Sequence, residues 1–190
     1  QMAEYLSANA AGGTSRRQNT AVTPSEPPIR ITQLDWFVRK HNRKDRIAVS
    51  IPPRHGKSFL VSVYFPAWFL GNFPDKKVLM VSNTTDLAVD FGRKVRNIIA
   101  DAKYQSVFPG INLASDSKSA GRWSTNRGGE YFATGVGSAL AGRGADLLLI
   151  DDPHDEQDLL AGNFDALEKA YQWFTFGART RLMSQGRVAV

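Results

Sequence analysis

Ile47-Ala48-Val49-Ser50-Ile51-Pro52-Pro53-Arg54-His55-Gly56-Lys57-Ser58 is the stretch on which the fold turns. Ile47–Ile51 reads as a short apolar strand, Pro52 to His55 as a turn, and Ser58–Leu70 as a helix ended by Gly71-Asn72 and Pro74. A strand, a turn containing glycine and a helix, in that order, are the setting of a phosphate-binding loop. Each residue type has a task there. Gly56 lets the backbone approach an anion closely, and the amides at the helix start point at it with the help of the helix dipole. Lys57 would neutralise the β and γ phosphates of a nucleotide, and the Ser58 hydroxyl would ligate magnesium. The match to G-x-x-x-x-G-K-[ST] is incomplete, because Ile51 stands where the first glycine belongs. A bare Gly-Lys-Ser is more often a plain helix start.

A second motif strengthens the first. Leu147-Leu148-Leu149-Ile150-Asp151-Asp152 is an apolar strand ending in two carboxylates, the pattern of a Walker B segment. Asp151 would hold magnesium, through water or Ser58, and Asp152 would orient or deprotonate an attacking water. Taken alone, two acids before Pro153 are an ordinary turn after a strand. In this order, after a Gly-Lys-Ser turn, they point to a nucleotide hydrolase.

Outward from these motifs, strand-like and helix-like segments alternate, which predicts a parallel sheet with crossover helices. Lys77–Ser82 is the next strand. Asn83 or Thr84 can cap the helix after it, where Leu87, Val89, Phe91, Val95, Ile98 and Ile99 approximate an apolar stripe. Trp123-Ser124 and Glu130–Thr134 flank Asn126–Gly129, a hairpin signal. Phe164–Met183 reads as one long helix, and Arg187–Val190 as the beginning of a buried strand. Residues 1–28, rich in Ala, Ser, Thr, Gly and Pro, read as a flexible arm, with at most a helical turn around Met2–Ala8. Residues 29–190 read as one domain, expected to be cut from a longer protein.

Composition narrows the classes. The chain has no cysteine, which excludes disulfides, thiolate zinc sites and cysteine nucleophiles. No apolar run approaches the roughly 20 residues of a membrane span. The 190 residues carry 24 Lys+Arg against 18 Asp+Glu, a net charge of +6. A basic surface suits a phosphate backbone, but at this charge a solvated basic face is an equal reading.

With both motifs placed, the chain resembles the ATPase domain of the large terminase subunit, the DNA-packaging motor of tailed bacteriophages. Ile31-Thr32-Gln33-Leu34-Asp35-Trp36 is similar to the family's adenine-recognition segment. Pro52 to Ser58 is similar to its Walker A variant, in which an arginine and a missing first glycine are usual. Val81-Ser82-Asn83 with Leu87-Ala88, and Gly142-Arg143-Gly144-Ala145-Asp146 running into Asp152, carry the rest. The resemblance implies an α/β P-loop NTPase of the ASCE/RecA-like kind, with a mainly parallel central sheet flanked by helices. It implies ATP and magnesium as ligands, and translocation of double-stranded DNA into a procapsid in the host cell cytoplasm. It implies a homo-oligomeric ring, usually a pentamer, on the capsid portal protein, with a small terminase subunit delivering the DNA. The family's RNase H-like nuclease domain has no counterpart in these 190 residues.

Residue by residue, the resemblance makes Gln33 the adenine reader, although a surface glutamine beside a buried Trp36 is the plain alternative. It places Arg54 and His55 in the variant phosphate loop, where Arg54 could contact phosphate or form a loop salt bridge. Arg143, between two glycines, is the candidate arginine finger reaching a neighbouring subunit's ATP, with a DNA or structural contact as its alternative; Arg127 at the hairpin tip is second. Many relatives carry Glu after the Walker B Asp, whereas here Asp152 follows Asp151. The base is therefore Asp152, or Glu156 reaching in from the next turn. His55 and His154 border the site as loop residues without a three-ligand cluster. Two other readings stay open. One is a helicase-like DNA translocase or repair ATPase, which would normally show Asp-Glu at this position; the other is a DNA- or portal-docking module with a degenerate nucleotide site.

Overall fold

The computed structural model describes residues 46–52, 54–117 and 119–190. Gln33, the helical turn expected around Met2–Ala8 and the arm over residues 1–28 lie outside them. Among the described residues, six strands form one sheet: β1 (Arg46–Ile47), β2 (Lys77–Ser82), β3 (Arg122–Ser124), β4 (Glu130–Gly135), β5 (Ala145–Ile150) and β6 (Leu182–Ala189), in the order β1-β6-β5-β2-β4-β3. All pairs are parallel except β3 with β4, which form the expected antiparallel hairpin. The α/β fold with a mainly parallel central sheet flanked by helices is therefore what the chain adopts. One strand, β6, stands between the strand leading into the Gly56-Lys57-Ser58 turn and the strand leading into the two acids.

Why these segments form strands is plain from burial. β5 is apolar and buried along Leu147–Ile150 because both of its faces are covered, as in parallel sheets generally. On one face, Leu79, Val81, Leu148, Ile150 and Val188 pack with Leu140, Ala178 and the half-buried Trp173 and Phe174. On the other lie two helical segments. A π-helical stretch, Phe59–Tyr64, runs directly into α1 (Phe65–Asn72), and α2 (Thr85–Ala100) packs against it and against β2 and β4. Thr84, not Asn83, caps α2: its side-chain oxygen accepts the Leu87 N–H. Ala88, Phe91, Val95 and Ile99 form the buried stripe of α2.

Three boundaries differ from the sequence reading. The strand expected over Ile47–Ile51 is a short ladder at Arg46–Ile47, although the Val49 N–H still bonds to the Val190 carbonyl at 2.7 Å. The last strand is longer than its Arg187–Val190 signal and starts at Leu182, with a register shift on β5 between Ala145 and Leu147. The helix expected to run from Phe164 to Met183 is broken. It comprises α5 (Phe164–Gln172, following the short α3, Ala102–Val107, and α4, Glu156–Leu160), a π-turn at Trp173–Ala178 and a 3₁₀ turn at Arg179–Arg181. Anchoring by tertiary contact, with the Trp173 indole N–H donating to the Ser138 carbonyl at 2.9 Å, accompanies the break.

Candidate functional site

Parallel strands deliver their C-terminal ends to one edge of the sheet, where open α/β folds bind ligands. Here β1 delivers the Pro52–Ser58 loop and β5 delivers Asp151-Asp152 to that edge. The Asp151 N–H bonds to the Val81 carbonyl at 3.0 Å, and the Asn83 N–H to the Asp152 carbonyl at 2.9 Å. The acid loop is thus tied to the end of β2.

The loop backbone is unusual. Arg54 has φ 63 and Gly56 φ 82. Positive φ costs glycine nothing, but it is uncommon for arginine and is a form of strain that gathers at functional sites. A Cβ placed on Gly56 would meet no atom within 4 Å, so space is open beside the backbone there. The Leu60 N–H bonds to the Gly56 carbonyl at 2.9 Å, which makes the N–H groups just before it those of a helix start without intrahelical partners.

Lys57 and Asp151, about ninety residues apart in sequence, meet: Nζ lies 3.5 Å from Oδ1. The two are unequal. The lysine side chain is 39% exposed, whereas the carboxylate is 6% exposed. The other carboxylate oxygen, Oδ2, accepts a 2.8 Å hydrogen bond from the Ser62 hydroxyl, which is wholly buried. Sequence reasoning did not single out Ser62. Its signal was a small polar residue inside the apolar run Phe59–Leu70. Near them, the fully buried Ser82 hydroxyl at the end of β2 has no hydrogen-bond partner. A buried, unpaired hydroxyl is costly and marks a place where a polar ligand or water fits.

Asp152 differs from its neighbour in every respect that matters. It is exposed and has φ 53, against the extended preference imposed by Pro153. Left-handed geometry turns the chain sharply after Asp151, so one acid points into the packed face and the next stands at the surface. Glu156 is exposed in the first turn of α4, which Asp155 caps by accepting the Gln157 N–H at 2.8 Å. His55 and His154 are exposed loop residues. A cleft of about 270 Å³ adjoins the acid loop, lined by Asn83, Gly137, Pro153, His154 and Lys169 among others.

Residues 49–172, more than half of the chain, match the family described as "Terminase large subunit, T4likevirus-type, N-terminal". The chain belongs to the large terminase family. A solved structure, that of the HK97 bacteriophage large terminase, is similar at 16% identity and a TM-score of 0.48, covering 89% of this chain and 34% of that one. The chain therefore spans about a third of the length of that terminase. No curated protein matches.

The two arginines suggested by the terminase resemblance lie far from the Lys57–Asp151 pair. Arg143 precedes β5 and Arg127 precedes β4, so both belong to the opposite edge of the sheet. At about 3.3 Å per strand residue, the Arg143 backbone is separated from that of Asp151 by roughly 20 Å, although its side chain reaches back to mid-sheet. Its guanidinium is 3.7 Å from the centre of the Phe132 ring, a cation–π contact on the face away from Ser62. Among the described residues no group of three or more His, Cys, Asp or Glu forms a metal-binding cluster. Asp151 with the hydroxyl of Ser58, at the half-buried helix start, is the donor set that could hold a magnesium ion.

Proposed function

We propose that this domain is the ATPase motor of a viral large terminase subunit, hydrolysing ATP to drive double-stranded DNA into a procapsid. The observation that carries this reading is the contact between Lys57 of the strained loop and the buried Asp151, across two strands separated by β6. Membership of the large terminase family supports a packaging role over a helicase-like translocase.

In this reading, the backbone at Gly56 and the amides at the helix start receive the phosphates, and Lys57 neutralises the β and γ groups. Lys57 leaves its contact with Asp151 to do so, which frees the carboxylate. Magnesium, held by Asp151 and the Ser58 hydroxyl as a hard cation with oxygen ligands, would supply charge against the phosphates. Exposed Asp152 orients and deprotonates the attacking water, with Glu156 as the alternative base. Gln33 reads adenine, while Arg54 and His55 border the phosphates. Arg143, whose guanidinium stacks on Phe132 on the sheet face away from Ser62, acts in trans on a neighbour's ATP within a ring of copies, a pentamer in this reading. The portal, the small terminase subunit, the DNA and a host cytoplasmic setting complete the proposal.

The test is binding of a fluorescent ATP analogue, then phosphate release with and without DNA. Binding should be lost in Lys57→Ala, and turnover should be lost in Asp152→Asn while binding remains. If Glu156→Gln gives that second result and Asp152→Asn does not, the base is Glu156. No nucleotide binding by the unaltered chain would instead favour a docking module with a degenerate site.

A further inference from the structure

We infer that Ser62 is a positioning residue for Asp151, and that the π-turn after the phosphate loop is the device that brings it there. This rests on the nucleotide-site reading above. Three observations converge. First, Ser62 and Lys57 hold opposite oxygens of one carboxylate, at 2.8 and 3.5 Å. Second, the two residues are five apart. In a regular α-helix that spacing sets side chains about 140° apart, and Val61 rather than Ser62 would lie over Lys57. The π-helical register of Phe59–Tyr64, closed by the Phe65 N–H bonding to the Leu60 carbonyl, widens the turn by one residue and brings Ser62 round to Asp151.

Third, the sequence contains a cause for this register. Pro66 follows within the same helix and has no N–H to give to the Ser62 carbonyl four residues back; its ring would also crowd that carbonyl. An α-helical turn ending there is disfavoured, and the π register relieves it. π-turns inside helices recur at functional sites for this kind of re-aiming. The consequence is chemical. With Oδ2 fixed by a buried hydroxyl, Asp151 can turn only Oδ1 toward Lys57, and toward a cation when Lys57 moves to the phosphates. Ser62 touches neither nucleotide nor metal in this account. It acts through Asp151.

The experiment compares the affinity of the 190-residue chain for a fluorescent ATP analogue in magnesium and in EDTA, reading a metal-dependent gain in binding rather than turnover. Ser62→Ala should lose about tenfold of that gain, the size expected for removing a hydrogen bond to a charged group, while affinity in EDTA stays within about twofold. Ser62→Thr, which keeps the hydroxyl, should keep the gain. If Ser62→Ala melts early, Ser62→Cys preserves the volume with a much weaker donor and should show the same loss. A full magnesium gain in a stably folded Ser62→Ala or Ser62→Cys chain would overturn the role of Ser62 and leave the nucleotide site standing. Absence of any magnesium gain in the unaltered chain would overturn the site reading, and this inference with it.

Discussion

Among the described residues two helices contain a π-turn, and they are used very differently. The first, after the Gly56-Lys57-Ser58 turn, is packed against the sheet: Phe65, Trp68, Phe69 and Leu70 are almost wholly buried, and its π-turn carries a hydroxyl that bonds a buried acid. The second, α5 with its π-turn, has no buried residue before Ala178, and it leaves Phe164, Tyr171 and Phe176 exposed at 62–76%. Both sequences are aromatic-rich, so composition does not separate them. The difference is what covers them: α2 and the sheet enclose the first, whereas the second joins the core through Trp173, Phe174 and Ala178 at its end. A deformed turn is rigidly useful where packing over-determines it. Where packing is thin, the same deformation merely changes the direction of the chain.

The contrast can be broken most severely at the acid that the first helix serves. Asp151→Ala should reduce ATP hydrolysis at least about a hundredfold, since it removes charge placed where phosphoryl transfer needs it; near-normal phosphate release would refute the assignment. Packing comes next. Phe65→Ala should cost about 3–5 kcal/mol in urea unfolding, because it empties a fully enclosed site, whereas Phe176→Ala should change stability by no more than about 0.5 kcal/mol. Comparable losses for the two would mean that the second helix is covered after all. Trp173→Phe keeps most of the apolar surface but deletes the bond to the Ser138 carbonyl, and should cost about 1 kcal/mol. The smallest effect belongs to the solvent side of α2. Lys94, by direct hydrogen bonding and then by charge, lowers the Asp90 carboxyl below its ordinary pKa of 3.8. The pair therefore stabilises the fold above that value and loses its contribution as pH falls through the lowered one. Because the pair is exposed, Asp90→Asn should cost only a few tenths of a kcal/mol near neutral pH, and nothing in strong acid.

Part of the candidate site is legible in the sequence. Gly56, Lys57 and Asp151 stood out because phosphate chemistry limits which residues can follow a strand, and the structure brings Lys57 and Asp151 together. Asp152 was legible as an acid, but not as a surface residue in a left-handed turn, since φ depends on how the loop is tied to Asn83. Ser62 was illegible. Its role depends on a helical register, and a reading that assumes 3.6 residues per turn puts Val61 in its place. Arg143 was read by its flanking glycines; that its guanidinium reaches back to stack on Phe132, level with Leu79 and Leu148 in the middle of the sheet, depends on a long-range contact that no local pattern specifies.

What the sequence determined by itself is the set of strands and the order of the two motifs, because apolar runs bounded by turn residues have few ways to be buried. β2, β5 and the β3–β4 hairpin follow from that constraint alone. Only tertiary structure decided how the strands are ordered and how the helices end. The insertion of β6 between β1 and β5 is a long-range pairing that no local pattern specifies. The break of the helix that starts at Phe164 has the same origin, since residues from Leu182 onward gain more from completing the parallel ladder beside β5 than from extending an exposed helix.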